Sequence, residues 1–400
     1  MLKTWPGRRA AVRFPFLLWM LVSAALVACA AQDHPNPGRV ADGLMPTIHA
    51  VAPATIAPAE TEKVPGSEAE LREAIALRIS ALWSAGDFGS LEAMAEQYAR
   101  THARTYSGKW RLSLFYMDLS DQLTIPWPSE WYGTDAISCQ CKVPDVTHYD
   151  EAERRWNDMQ AKLHGWMERS PDSLHARLAM ANLLLNRAWF YRGNGFADTV
   201  PDEAWPLFSR YVEQARMLLS QDRTQAASDP EWFGVMFRIA AAQSWSSANV
   251  ASLLRDLSLS ETLYIGAYDG AAMVLKPQWG GSYEQLERFA RQIAAERKHE
   301  GPELYARMYW NIGANELPNT HADWSLLKQG FEDMIQRYPD PRNLNALAMF
   351  ACVAGDAETF RKTVETLGDN LTPNSWTVSP ELCRAHYRLG GAHTEAGAAR

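Results

Sequence analysis

The sequence predicts an all-α protein, and three observations support this fold class. Signals that start helices recur from Ser67 onward, and the apolar residues between them follow a helical period. No segment alternates apolar and polar residues in the manner of a half-buried β-strand. The chain has 400 residues, so it has room for many helices, and their arrangement is the next question.

The helix starts are of two kinds. At Ser67 and Ser282, a Ser is followed three residues later by Glu or Gln. This is the capping box, in which the Ser accepts from a free backbone N–H and the longer side chain reaches back. At Ser170, Asp229 and Ser379, a capping residue precedes Pro, which has no N–H to leave unpaired. An acid then follows and interacts favourably with the positive helix end.

Apolar residues three or four positions apart define one buried face on each predicted helix. These faces consist of Leu71, Ile75, Ile79 and Leu82; of Leu174, Leu178, Ala181, Leu185 and Trp189; of Leu207, Tyr211, Ala215 and Leu218; and of Leu286, Phe289 and Ile293.

One short device occurs near both ends of the helical region. Ala-Gly-Asp is found at 85–87 and at 354–356, and a large apolar residue, Leu91 or Phe360, follows four positions after the Asp. Gly at 86 and 355 can end a helix in the left-handed conformation, and the next Asp can cap the following helix. The pattern predicts tight helical hairpins. Hairpins in series indicate a degenerate α-solenoid of the tetratricopeptide type, although a regular period of about 34 residues is absent.

The first 28 residues have the layout of a signal peptide. Lys3, Arg8, Arg9 and Arg13 precede an uncharged apolar run from Phe14 to Ala28, which is too short to span a bilayer comfortably. Leu-Val-Ala-Cys at 26–29 resembles the lipobox of bacterial lipoproteins, which implies cleavage before Cys29 and its lipidation. The alternative is an ordinary signal peptide with a Cys at that position. Because Ala30 rather than Asp follows, the expected location is the outer membrane, facing the periplasm.

The rest of the chain divides into three parts. Residues 29–66 are rich in Pro and Ala without helical period and are predicted to be a tether. Residues 67–390 are predicted to be the helical body, and residues 391–400 a disordered tail. Loss of the signal peptide changes the formal net charge from −8 to about −12, because it removes four basic residues and no acidic one. Such an acidic protein is a poor partner for nucleic acid.

The cysteines of the body form two groups. Cys352 and Cys383 lie on predicted alternate helices of the stack, which are spatial neighbours, so a disulfide is expected. The alternative is a pair of small buried thiols. Cys139, Cys141 and His148 lie in an irregular insertion, 118–149, where weak zinc binding, a local disulfide or free thiols are all open. The insertion also carries Trp127 and Trp131, aromatic residues that favour docking onto a partner.

The middle of the chain resembles a known bacterial family. The stretches that carry the resemblance are N-R-A-W-F-Y-R-G-N-G at 186–195, D-P-E-W-F at 229–233, K-P-Q-W-G-G-S at 276–282 and N-L-N-A-L-A-M-F-A-C at 343–352. They resemble the family defined by domain of unknown function 4034, over roughly 169–387. The resemblance implies a tetratricopeptide-like helical fold. It implies no reaction, so no catalytic residue is assigned.

Binding is the function that the sequence favours. The chain has no zinc-protease motif, nucleophile elbow or phosphate-binding Gly-rich loop, and no cofactor is predicted. Trp189, Arg192 and Trp279 are the first candidates for a binding surface, since Trp gives a large contact area at low entropic cost. The leading hypothesis is a lipid-anchored scaffold or assembly factor that binds a protein or peptide.

Two further hypotheses remain open. One is an enzyme on envelope carbohydrate, with an acid pair drawn from Glu261, Asp269, Glu284 and Glu316 in a Trp-lined groove. The other is a small-molecule carrier, which requires a closed apolar cavity.

Overall fold

The computed structural model describes residues 66–125, 146–193, 197, 200–226 and 228–387. Contacts divide the chain into two units, 1–62 and 63–400, and all of the described residues lie in the second. Within these residues the regular structure is helical, apart from an isolated β-bridge between Arg104 and Trp110. The all-α fold class is confirmed. The predicted signal peptide, Cys29, nearly all of the tether and the C-terminal tail lie outside the described residues.

The helices follow one another with short links. They are α1 Glu68–Ala85, α2 Phe88–Thr101, α3 Arg111–Gln122, α4 Tyr149–Arg169, α5 Leu174–Arg192, α6 Ala204–Ser220, α7 Glu231–Ala242, α8 Ser247–Leu259, α9 Ile265–Val274, α10 Tyr283–Glu296, α11 Gly301–Ile312, α12 Trp324–Arg337, α13 Pro341–Ala354, α14 Ala357–Leu367 and α15 Pro380–His386.

The repeated Ala-Gly-Asp device forms a helical hairpin at both places. Gly86 and Gly355 are left-handed, with φ of 68° and 79°, and each ends its helix. The following Asp caps the next helix, with Asp87 accepting from Ser90 N–H and Asp356 from Thr359 N–H. Leu91 and Phe360, the large residues four positions on, are fully buried.

The predicted helix starts are confirmed at three of the five positions. Ser67, Ser282 and Ser379 each accept a backbone N–H from three residues later. The prediction at Ser170 is wrong, because Ser170 ends α4 and Ser173 caps α5 instead. Asp229 lies one residue before the start assigned to α7, and its carboxylate still accepts from the N–H of Glu231. A Ser-Pro-Asp sequence can thus end one helix as well as start the next.

Helices adjacent in the chain pack together, as in α5 with α6, α11 with α12 and α13 with α14. Alternate helices also pack, as in α7 with α9 and α9 with α11. Both kinds of contact are compatible with stacked hairpins, and the solenoid arrangement itself stays a prediction.

The loop 102–110, here called the Ser107 loop, joins elements far apart in the chain. Ser107 donates through its N–H and Oγ to the carboxylate of Glu68, at 2.9 and 2.7 Å. The Ser107 carbonyl accepts from Arg307, 200 residues later, at 3.0 Å and from Asn343, 236 residues later, at 3.2 Å. These bonds tie α1 to α11 and α13, so contacts between neighbouring repeats do not account for the whole body.

A disulfide joins Cys352 of α13 to Cys383 of α15, with 5.9 Å between the Cα atoms, as the sequence predicted. It closes a separation of 31 residues. The chain-entropy model assigns a loop of that length about 3–4 kcal/mol of stabilisation. The bond therefore holds the last described helix against the body.

The predicted insertion is shorter than expected at both ends. Residues 118–122 belong to α3, residues 146–148 form a 3₁₀ turn and Tyr149 begins α4. Trp127, Trp131, Cys139 and Cys141 lie outside the described residues, so what was predicted of them stays a prediction. Among the helices of the described part, none combines the length and the apolar character that a membrane span requires.

Candidate binding site

Two adjoining hollows form a groove with tryptophan walls, here called the aromatic groove. The first, of about 300 Å³, lies between α8, α10 and the end of α9. The second, of about 330 Å³, lies between the ends of α5 and α7 and the start of α6. They share Trp245, Trp279 and Gly280, and the groove therefore extends across five helices.

The aromatic rings of the groove support one another edge to face. Trp189 lies 5.8 Å from Trp279 and 5.1 Å from Phe208, and Trp205 lies 6.0 Å from Phe208, between ring centroids. Such geometry contributes about 0.5–1.5 kcal/mol per pair beyond area burial. Trp189, Trp205, Trp245 and Trp279 are all only partly buried, so each keeps surface for a ligand.

The residues that the sequence put forward meet in this groove. Trp189 and Arg192 stand three positions apart at the end of α5, on one side of the helix, and both line the second hollow. The guanidinium of Arg192 lies 5.4 Å from the ring of Trp189 and 5.9 Å from that of Trp205. Trp279 reaches the same place from a 3₁₀ turn, about ninety positions along the chain from Trp189.

The turn that presents Trp279 explains the Trp-Gly-Gly-Ser element. Gly280 has φ of 85° and ends the 3₁₀ turn. A Cβ at Gly281 would collide with the backbone of Leu275, so only glycine fits there. Ser282 then caps α10. The element thus places Trp279 and starts the helix that carries Arg288.

The charged residues of the groove are cationic. Arg192, Arg255 and Arg288 line it, and none of the lining residues is acidic. Arg255 and Arg288 are exposed, and within the described residues neither forms an ion pair or a side-chain hydrogen bond. The indole N–H groups of Trp189, Trp205 and Trp279 likewise have no acceptor there. The groove is therefore rich in unused donors.

A second hollow, of about 460 Å³ and here called the polar cleft, lies between α3, α7, α9 and α11. Glu231 lines it and accepts from Tyr264 Oη at 2.6 Å and from Arg238 at 3.3 Å. Burial raises the pKa of Glu231 to about 7. Burial likewise raises the pKa of Asp269, another lining residue, to about 6.

A buried hydrogen-bond network lies beside the cleft. The hydroxyl of Tyr116 donates to the carboxylate of Asp229, and Nδ1 of His175 lies 2.6 Å from the same carboxylate oxygen. The other oxygen of Asp229 accepts from the N–H of Glu231. The network fixes the start of α7, and thereby the position of Glu231 at the cleft.

The four carboxylates named for an enzyme do not meet at the aromatic groove. Asp269 lines the polar cleft, Glu261 is exposed, Glu284 pairs with His321 at 3.0 Å and Glu316 accepts from Tyr283 at 2.7 Å. None of them lines the groove.

No metal centre is found in the part of the chain that the structure describes, where no three His, Cys, Asp or Glu residues are grouped suitably. His148 lies in the 3₁₀ turn before α4. Because Cys139 and Cys141 lie outside that part, the zinc alternative stays untested.

Sequence reasoning missed Arg255 and Arg288. Each is a solitary exposed Arg on an amphipathic helix, where charged residues are ordinary, so no local signal distinguishes them. Only the packing of α8 against α10 brings them to one hollow.

The fold and the groove define an all-α, helical-hairpin protein with an aromatic binding surface. Residues 145–255 match the family described as domain of unknown function (DUF4034), and this part of the chain belongs to that family. The match begins and ends earlier than the resemblance in the sequence suggested. It contains Trp189, Arg192, Trp205 and Trp245, but not Trp279 or Arg288. Neither the curated proteins nor the solved structures include a match to the chain.

Proposed function

We propose that this protein is a lipid-anchored binding protein of the bacterial envelope, whose aromatic groove holds an extended, acidic peptide segment of a partner protein. The observation that carries the proposal is the convergence of Trp189, Trp205, Trp245 and Trp279 with cations and without a lining carboxylate. In this role the body is a scaffold or assembly factor that performs no catalysis.

The donors of the groove favour a peptide over a carbohydrate. An extended peptide offers backbone carbonyls to the free indole N–H groups, and its acidic side chains complement Arg255 and Arg288. Neutral sugar hydroxyls need acceptors as well as donors, and the groove supplies few acceptors. Proline-rich segments dock in aromatic-lined grooves because they are already extended, and this makes them the preferred occupants.

The peptide proposal is tested with synthetic decapeptides of alternating Pro-Glu and Pro-Lys, by fluorescence anisotropy at low salt. We expect Pro-Glu to bind at least about tenfold more tightly than Pro-Lys, since two or three charge pairs separate them. Trp279→Ala and Arg288→Gln are each expected to weaken Pro-Glu binding by about fivefold or more.

Two variants outside the groove serve as controls. Leu77→Ala removes a side chain that is 64% exposed on α1, and Arg154→Gln removes an exposed arginine on α4. Neither is expected to change the affinity. Equal binding of the two peptides, or an equal loss in Arg154→Gln and Arg288→Gln, would contradict an acidic peptide as the occupant. Circular dichroism monitors the folding of Trp279→Ala.

The anchor rests on Cys29 and its preceding residues. The full chain is expected to fractionate with bacterial membranes and to leave them only with detergent, because several acyl chains together bind a bilayer almost irreversibly. Cys29→Ser is expected to appear in the soluble fraction, while Cys139→Ser remains with the membrane. Mass spectrometry of an unmodified Cys29 in a cytosolic product would refute the anchor without bearing on the groove.

A further inference from the structure

A basic cavity lies apart from the aromatic groove, between α1, the Ser107 loop, α9, α11 and the start of α13. Its volume is about 240 Å³, and it adjoins the polar cleft, with which it shares Lys109, Asp269 and Asn311. Four of its lining residues are cationic and one is acidic. They are Arg72, Lys109, Arg307, Arg342 and Asp269.

Two of the cations are held rigidly by buried carboxylates and retain unused donors. Arg72 donates through Nε to Glu68 at 2.6 Å, while its Nη2 is buried and has no partner among the described residues. Arg307 donates through Nε to Glu303 at 2.7 Å and through Nη2 to the Ser107 carbonyl at 3.0 Å. No described residue accepts from its Nη1. Both guanidinium groups are therefore oriented before any ligand arrives.

The other two cations have no carboxylate partner at hydrogen-bonding distance. No described residue accepts from Nζ of Lys109. Burial lowers the pKa of Lys109, and repulsion from Arg72, Arg342 and Arg307 lowers it further, against the attraction of Asp269. Arg342 lies in the first turn of α13, where the helix dipole disfavours a cation, and its guanidinium is 5.9 Å from the ring of Trp310.

Asp269 is the one acceptor that the cavity leaves unused. No described residue donates to its carboxylate, although Asn311 donates to its backbone carbonyl at 3.0 Å. Burial raises the pKa of this carboxyl to about 6, against the attraction of Lys109 and Arg307, so it is mainly ionised at neutral pH. A hydroxyl group beside it would satisfy the unused lone pairs.

We propose that the basic cavity binds a small oxyanion that also carries hydroxyl groups, such as the phosphate monoester or the carboxylate of a short polyol. The anionic group is placed among Arg72, Lys109 and Arg342, and a hydroxyl donates to Asp269. An oxyanion removes the mutual repulsion of the cations and accepts from the unused guanidinium N–H groups, which are charge-assisted hydrogen bonds. A neutral polyol would leave the repulsion in place.

The size of the cavity sets the size of the ligand. A water molecule occupies about 30 Å³ of liquid, so a cavity of about 240 Å³ holds on the order of eight waters or a ligand with a similar number of heavy atoms. Glycerol 1-phosphate and glycerate are close to this size. The cavity shares no lining residue with the aromatic groove, so the two sites stand or fall separately.

Isothermal titration calorimetry of the full chain at low salt tests the proposal with four probes: glycerol 1-phosphate, glycerate, inorganic phosphate and glycerol. We expect one or both of the hydroxylated anions to bind at least about fivefold more tightly than inorganic phosphate, and glycerol not to bind. The anion that binds better identifies the oxyanion. Absence of binding by both hydroxylated anions would overturn the proposal.

Charge-matched variants separate the cavity from general attraction. Lys109→Gln is expected to raise the dissociation constant at least about tenfold, as expected for losing a charged hydrogen bond. Lys298→Gln removes the same charge at an exposed site and is expected to leave the constant within twofold. Asp269→Asn is expected to reduce the preference for hydroxylated anions over inorganic phosphate. Equal losses in the two lysine variants, with both proteins folded by circular dichroism, would refute the site.

Discussion

Replacement of Glu303 by Gln is expected to lower the free energy of unfolding by about 3–5 kcal/mol, because it leaves a buried cation without its counter-charge. The side chains of Glu303 and Arg307 are both 6% exposed and are bonded at 2.7 Å, and Arg337 donates to the other carboxylate oxygen at 2.9 Å. A glutamine amide can accept one of these bonds but neutralises neither guanidinium.

The loss is expected to reach beyond the ion pair. Arg307 also donates to the Ser107 carbonyl, so a displaced Arg307 loosens the contact between the Ser107 loop and α11. Amide hydrogen exchange in the Ser107 loop should then quicken in the variant relative to the wild type.

Urea denaturation measures this effect, and Glu332→Gln provides the matched control. Glu332 is exposed on α12, and the same substitution there is expected to change the free energy of unfolding by less than about 0.5 kcal/mol. A loss below about 1 kcal/mol in Glu303→Gln would mean that water reaches Arg307 and that the pair is not a buried one.

The parts of the fold that depend on neighbouring residues were predictable from the sequence. Left-handed glycines with a capping Asp fix the two hairpins within a few residues, and Ser67, Ser282 and Ser379 mark helix starts in the same local way. The prediction failed at Ser170, where two helices meet closely and Ser170 and Ser173 are both plausible caps. Local signals cannot decide between two capping residues three positions apart.

The candidate sites were only partly predictable, because they depend on packing between distant segments. Trp189 and Arg192 could be paired from helical spacing, and the Trp-Gly-Gly-Ser element marked Trp279 as unusual. The basic cavity had no such signal. Arg72, Lys109 and Arg342 come from three segments that meet only through the Ser107 loop, which the sequence did not mark as special.

Replacement of Glu231 by Gln is expected to stabilise the protein at pH 8 and to have little effect at pH 5. Burial raises the pKa of Glu231 from its ordinary 4.5 to about 7, so folding favours the protonated acid. The stability that the acid contributes is present below about pH 4.5 and is lost as the pH rises through about 7. At pH 8 the ionised form costs on the order of 3 kcal/mol, and a neutral amide avoids this cost.

Urea denaturation of the wild type and of Glu231→Gln between pH 5 and 8.5 measures the difference. The wild type should lose stability above pH 6 more steeply than the variant, while the exposed Glu365→Gln control follows the wild type. Parallel pH profiles would show that Glu231 ionises at its ordinary pKa, and the burial argument would then be wrong.

A stabilising effect of this size has a consequence for the polar cleft. The amide can still accept from Tyr264, so the hydrogen bonds of the site do not require an ionisable group. A carboxyl that weakens the fold at neutral pH is then retained at a stability cost, as is common where a binding or chemical role needs a charge. The measured gain in the glutamine variant would give the size of that cost, beside a cavity whose cations also repel one another.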